Sequence, residues 1–135
     1  MIEFNYETDF SLINENLFTT WLLNVISSEN KDCGDLCFIF CDDEYLLKLN
    51  NEHLNHDTYT DIITFDYCVG DEINGDVFIS ITRVRENAIA FQVSFKNELL
   101  RVLSHGVLHL CGFKDKSESD VVLMRIKEEE KIGLF

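Results

Sequence analysis

The sequence predicts an α+β domain: a small mixed four-stranded sheet with helices packed on it and a central buried helix carrying a His-x3-His metal motif. Three observations lead there. Four short segments have strand character, at residues 2–7, 36–41, 60–67 and 75–80. Between and after them lie segments whose apolar residues recur at helical spacing. One of these helices, ending at Cys111, is apolar nearly all round, as a helix in the middle of a domain must be.

Each element has its own reason. Residues 2–7 alternate Ile2, Phe4 and Tyr6 with Glu3, Asn5 and Glu7, a strand with one wet face. Leu17, Phe18, Trp21, Leu22 and Val25 mark a helix over 14–27. Residues 36–41 are a continuous apolar run of strand length, which predicts a central strand covered on both faces. Asp42 is a natural N-cap for a short helix through Leu49, and the polar stretch 50–59 reads as a loop. Residues 60–67 are rich in β-branched and aromatic side chains. Gly70, Gly75, Asp71, Glu72 and Asn74 signal a turn over 68–75, so 75–80 is an antiparallel partner of 61–67. A helix over 82–95 places Val84, Ala88, Phe91 and Phe95 on its inner face. Asn97 is a possible cap for the central helix, and Ser117 with Asp120 starts a last helix to about residue 131.

With 135 residues and no linker, repeat or proline, the expectation is one domain over 1–135. No apolar run approaches the ~18 residues of a membrane span, so no membrane partner is expected. The first residues lack a basic n-region and an apolar h-region, which makes the cytoplasm the expected compartment. Five cysteines, an odd number, then read as reduced thiols. Cys33-x3-Cys37-x3-Cys41 invites a metal cluster, but residues 37–41 form a strand pattern that puts Cys37 and Cys41 on one face as core groups.

A net charge of −14 argues against non-specific adhesion to nucleic acid or to an anionic membrane. Nine of the eleven cations nevertheless lie from residue 83 onward, six of them between positions 83 and 116. Arg83, Arg85, Arg101, Lys114 and Lys116 are therefore candidates for phosphate contact. Residues 125–131, where cations interleave with Glu128, Glu129 and Glu130, read equally well as a solvated helix face.

The chemistry gathers in 104–115. His105 and His109 are four apart and share one helix face. Gly112 sits where a left-handed residue ends a helix, and the reversal brings Asp115 back toward both imidazoles. Two imidazoles and a carboxylate suit a catalytic metal with a position left for water. Position 106, where a zinc protease of the His-Glu-x-x-His type carries its general base, is glycine. A mid-helix glycine is unfavourable by about 1 kcal/mol against alanine, so Gly106 either permits close packing or leaves room beside the metal. For a base, Asp61, Asp76, Asp57 and His56 are the candidates. The plainer roles are strand-end hydrogen bonding for Asp61 and Asp76, and surface residues for His53 and His56.

His105-Gly106-x-Leu108-His109-Leu110-x-Gly112-Phe113 resembles the signature of the YbeY family of bacterial metal-dependent endoribonucleases. Residues 60–65 (Thr-Asp-Ile-Ile-Thr-Phe) and 75–80 (Gly-Asp-Val-Phe-Ile-Ser) resemble two further blocks of that family in order and spacing. The resemblance spans roughly 45–130. It implies one zinc ion, or another divalent metal, held by three side chains, with His105 and His109 as the first two. The third is usually histidine in the family, and its counterpart here is Asp115, with Lys114 where aspartate is common. A carboxylate makes the metal a weaker Lewis acid and shifts preference toward harder ions such as manganese. The family's usual arginine before the Thr-Asp block has Leu54 as its counterpart, so either another cation meets the phosphate charge or the chain is a weaker nuclease. The implied substrate is single-stranded RNA, the 16S rRNA precursor, in 3′-end maturation and ribosome quality control. The implied partners are the small ribosomal subunit or assembly proteins. The alternatives are a non-cleaving, metal-stabilised ribosome-assembly factor and another metal-dependent hydrolase.

Overall fold

The computed structural model of the chain describes residues 1–54 and 60–135. The strands are β1 (Ile2–Tyr6), β2 (Asp32–Cys41), β3 (Ile62–Asp66) and β4 (Glu72–Ser80), and they form one mixed sheet in the order β1-β2-β4-β3. β1 and β4 both run parallel to β2, while β3 is antiparallel to β4. The central position of β2 accounts for its unbroken apolar run, since both of its faces are covered.

The helices are α1 (Glu15–Ser28), α2 (Asp43–Leu54), α3 (Ile81–Phe91), α4 (Phe95–Leu110) and α5 (Glu118–Ile132). α1, α3 and α4 pack against one face of the sheet, over a core that includes Phe38, Phe40, Val77, Ile79, Leu103 and Val107. α5 packs on α4. α2 covers the other face, where Leu46 meets Cys41 and Ile63. α4 is the central helix: ten of its residues are buried, from Glu98 to Leu110. Among the described residues no helix is long and apolar enough to cross a membrane.

Several boundaries differ from the sequence expectation, for physical reasons. α2 runs on to Leu54 through residues whose polarity suggested a loop; Asn50 is 4% exposed, so this polar residue belongs to the helix's inner face. α3 stops at Phe91 because Gln92 adopts φ 57° and donates its N–H to the Ala88 and Ile89 carbonyls. α4 is capped by Ser94, whose Oγ accepts from the Asn97 N–H at 3.0 Å; Asn97 lies in the first turn and is not the cap. β4 begins at Glu72, because the turn closes earlier, with Val69 bridged to Glu72. α5 opens as expected, on Ser117 accepting from the Asp120 N–H.

Two glycines set the distance between α4 and the sheet. A Cβ on Gly106 would stand 2.9 Å from Ile62 Cδ1 and 3.0 Å from Val77 Cγ1. Gly106 therefore serves close helix-to-sheet packing, and of the two roles open to it this is the one its surroundings impose. A Cβ on Gly75 would stand 2.6 Å from the Phe65 carbonyl oxygen and 3.2 Å from Leu110.

α5 holds the principal surprise. Glu128 and Lys131 are 1% and 0% exposed, so its charged run is not wholly a solvated face. Lys131 Nζ donates to Ser28 Oγ at 2.9 Å and to Glu29 at 2.5 Å, and Lys127 reaches Glu29 at 2.7 Å. Trp21 Nε1 donates to the Lys131 carbonyl at 2.8 Å. These bonds tie α5 to the end of α1 and set the register in which it meets α4.

Candidate metal centre

The C-terminal half of α4 presents His105 and His109 side by side, with ring centroids 4.6 Å apart. Gly112 ends the helix at φ 104°, where a side chain is strained. The Gly112 N–H bonds to the His109 carbonyl and the Phe113 N–H to that of Leu108, both at 3.0 Å. The chain thus doubles back, and Asp115 Oδ2 comes to 3.3 Å from His105 Nε2 and 3.4 Å from His109 Nε2.

Among the described residues this is a group of three whose ligand atoms all lie within 4.8 Å of one another. Donors about 2.0–2.1 Å from a tetrahedral zinc are about 3.4 Å apart, so the spacing fits one small divalent ion. All three side chains keep some exposure, Asp115 the most at 39%, which leaves the position open to a ligand. Nitrogen and oxygen donors in this mixture suit zinc or manganese.

Behind His105 stands a carboxylate that the charge pattern had hidden. Glu128 Oε2 lies 2.6 Å from His105 Nδ1. A carboxylate only accepts, so the proton belongs on Nδ1 and the Nε2 lone pair points at the site. Burial pushes the Glu128 pKa upward, but the His105 hydrogen bond and the charges of Arg101 and Arg125 outweigh it, and the group stays below the usual carboxylate range.

Arg101 is the hub of this support. Its fork meets both Glu98 oxygens at 2.8 and 2.6 Å, Asp61 Oδ2 at 3.2 Å and Glu128 Oε1 at 3.5 Å. Burial works against its charge, yet Glu98, Glu128 and Asp61 together raise its pKa. The guanidinium is thus largely committed to carboxylates of the protein.

The site opens into a cleft of about 360 Å³ between α4, α3, β3 and the middle of α5. Asp61, Arg101, His105, His109 and Asp115 line it, together with Thr60, Thr64, Asn87, Phe91 and Arg125. The structure does not bring every candidate there. Asp76 alternates with Gly75 and Val77, which face α4, so it lies on the opposite side of the sheet, in a depression with Glu3 and Cys37. Arg83 pairs with Asp43 at 2.7 Å and Glu86 at 2.8 Å, and Arg85 lies over the Phe95 ring. Lys114 and Lys116 are exposed and outside the cleft lining. His56, Asp57 and the side chains of His53 and Leu54 lie outside the described residues.

Arg125 and Glu128 are the neighbours of this site that sequence reasoning missed. The available signal was helical spacing: Glu128 follows Met124 by four and precedes Lys131 by three, on α5's inward stripe.

A family model described as Endoribonuclease YbeY matches residues 3–134. The Endoribonuclease YbeY of Flavobacterium johnsoniae is 64% identical over 135 residues, covering 100% of this chain and 97% of that protein. That of Flavobacterium psychrophilum is 59% identical over the same length, covering 100% and 96%. Among solved structures, the solution structure of a Thermotoga maritima protein superposes with a TM-score of 0.73 at 27% identity. It covers 99% of this chain and 88% of the other.

Proposed function

Since the chain belongs to the YbeY family of endoribonucleases, we propose that it is a metal-dependent nuclease for single-stranded RNA, with His105, His109 and Asp115 holding one divalent ion. The observation that carries this reading is the convergence of two imidazole nitrogens and a carboxylate oxygen at 3.3–3.4 Å, with His105 braced from behind by buried Glu128. Zinc is the expected ion, and Asp115 in place of a third imidazole widens the choice toward manganese. When bound, the ion supplies Lewis acidity at the scissile phosphate and activates water.

The protein's own groups do the rest. Glu128 holds the His105 tautomer, and Arg101 holds Glu128. Arg125, 54% exposed on the cleft wall, is the cation that meets phosphate charge where Leu54 provides none. Asp61 is the carboxylate of the cleft wall that can accept a proton from the attacking oxygen, with Arg101 keeping it in place. The substrate proposed is the 16S rRNA precursor at its 3′ end, in the cytoplasm, with the small ribosomal subunit or assembly proteins as partners.

The net charge of −14 favours one rival, a metal-stabilised assembly factor that docks without cutting. Incubating metal-replete, nuclease-free protein with single-stranded RNA beside a His105→Ala control separates the two. Cutting by the wild type alone supports the nuclease. Intact RNA with one ion bound per chain supports the docking factor and rejects the nuclease.

A further inference from the structure

Phe91 stands where helical spacing asks for a core residue, and it is not one. Val84 and Ala88 of the same stripe are 0% and 4% exposed, whereas Phe91 is 52% exposed. α3 ends at this residue, because Gln92 turns into the left-handed region that a side chain disfavours. The aromatic ring is thereby left at the edge of a polar cleft.

That ring lines two adjoining depressions. One is the cleft of His105, His109 and Asp115; the other is a recess of about 230 Å³ with Val93 and Asn97 on its wall. Arg125 also lines both, so Phe91 and Arg125 form the sill between them. Asn87, one turn earlier on the same face of α3, lines the cleft as well. An exposed aromatic face beside a guanidinium and an amide matches an unpaired nucleotide: the ring stacks on a base and the guanidinium meets its phosphate. An apolar protein partner fits less well, because polar Asn97, Arg125 and Glu129 share that recess with Phe91.

We infer that Phe91 is a base-stacking platform for the unpaired nucleotide next to the phosphodiester held at His105, His109 and Asp115. The inference rests on the RNA-cutting function proposed above and adds a subsite to it. It also supplies a source for single-strand preference, since a base inside a duplex has no free face to offer the ring.

The test uses the full-length, metal-replete chain and a short single-stranded oligoribonucleotide. Phe91→Ala raises KM roughly ten-fold, with a smaller change in kcat and unchanged metal content. Phe91→Trp keeps KM near wild type, and its indole emission is quenched when the oligonucleotide saturates it, above the constant background of buried Trp21. An abasic oligomer of the same length leaves the emission unquenched. A wild-type KM in Phe91→Ala, or Phe91→Trp emission that saturating RNA does not alter, overturns the stacking role while leaving the nuclease intact. A wild type that neither binds nor cuts RNA overturns both.

Discussion

Glu128 on α5 and His105 on α4 are joined by a 2.6 Å hydrogen bond between Oε2 and Nδ1, at a position where the glutamate is 1% exposed. Its other oxygen is held by Arg125 at 3.0 Å and Arg101 at 3.5 Å. The proposed metal site thus leans on a helix that supplies none of its three candidate ligands. Replacing Glu128 with Gln removes the carboxylate charge that orients the His105 ring from behind. Metal affinity should fall about 10–100-fold, read by competition against a chromophoric chelator with the fold checked by thermal melting. An unchanged affinity in a folded variant would show that the brace is not functional.

Gly106→Ala should destabilise the protein although alanine is the better helix former. Overpacking against Ile62 and Val77 is unfavourable by about 1–3 kcal/mol, and the gain in propensity offsets about 1 kcal/mol of that. Denaturant unfolding should therefore show a net loss of up to about 2 kcal/mol. A more stable variant would mean that α4 does not sit as close to β3 and β4 as the contacts require.

Which features could be read from the residues follows from how local their causes are. The β3–β4 pairing, the buried character of α4 and the reversal at Gly112 all rest on patterns within a few residues, and each is found in the structure. The face of Asp76 was readable too, because it must alternate with core residues Val77 and Ile79. Glu128 and Lys131 were harder. A charge on a core stripe is stable only with partners, and theirs are His105, 23 residues away, and Glu29, 102 residues away. Phe91 failed for the converse reason: its spacing is that of a core residue, but α3 ends and the cleft begins where it stands.

Glu29 gives the fold a pH dependence. Burial raises its pKa, but hydrogen bonds from Lys127 and Lys131 outweigh this and hold it below the ordinary value of 4.5. A lowered folded-state pKa stabilises above the unfolded value, and that contribution is lost as pH falls through the folded one. Glu29→Gln should therefore melt below wild type at neutral pH, with the gap closing progressively under about pH 4.5. A gap that is constant across the acid range would detach the effect from ionisation.

The thiols should be inert in the folded protein. Burial pushes Cys41 up to about 12 and Cys111 up to about 11. At about pH 8, thiolate is then roughly 0.1% or less of either. Mass spectrometry after brief iodoacetamide treatment should find both unmodified in native protein and alkylated after denaturation. Rapid native modification would place them in a different environment.

One ion held by His105, His109 and Asp115 is proposed to drive RNA cutting. Chelator-stripped protein should be titrated with zinc, and cleavage of a single-stranded RNA followed at each addition. No cutting is expected without metal, activity should rise and level off at one ion per chain, and a His109→Ala variant should be inert throughout. Full cleavage by the stripped wild type, or by His109→Ala, would contradict the proposal.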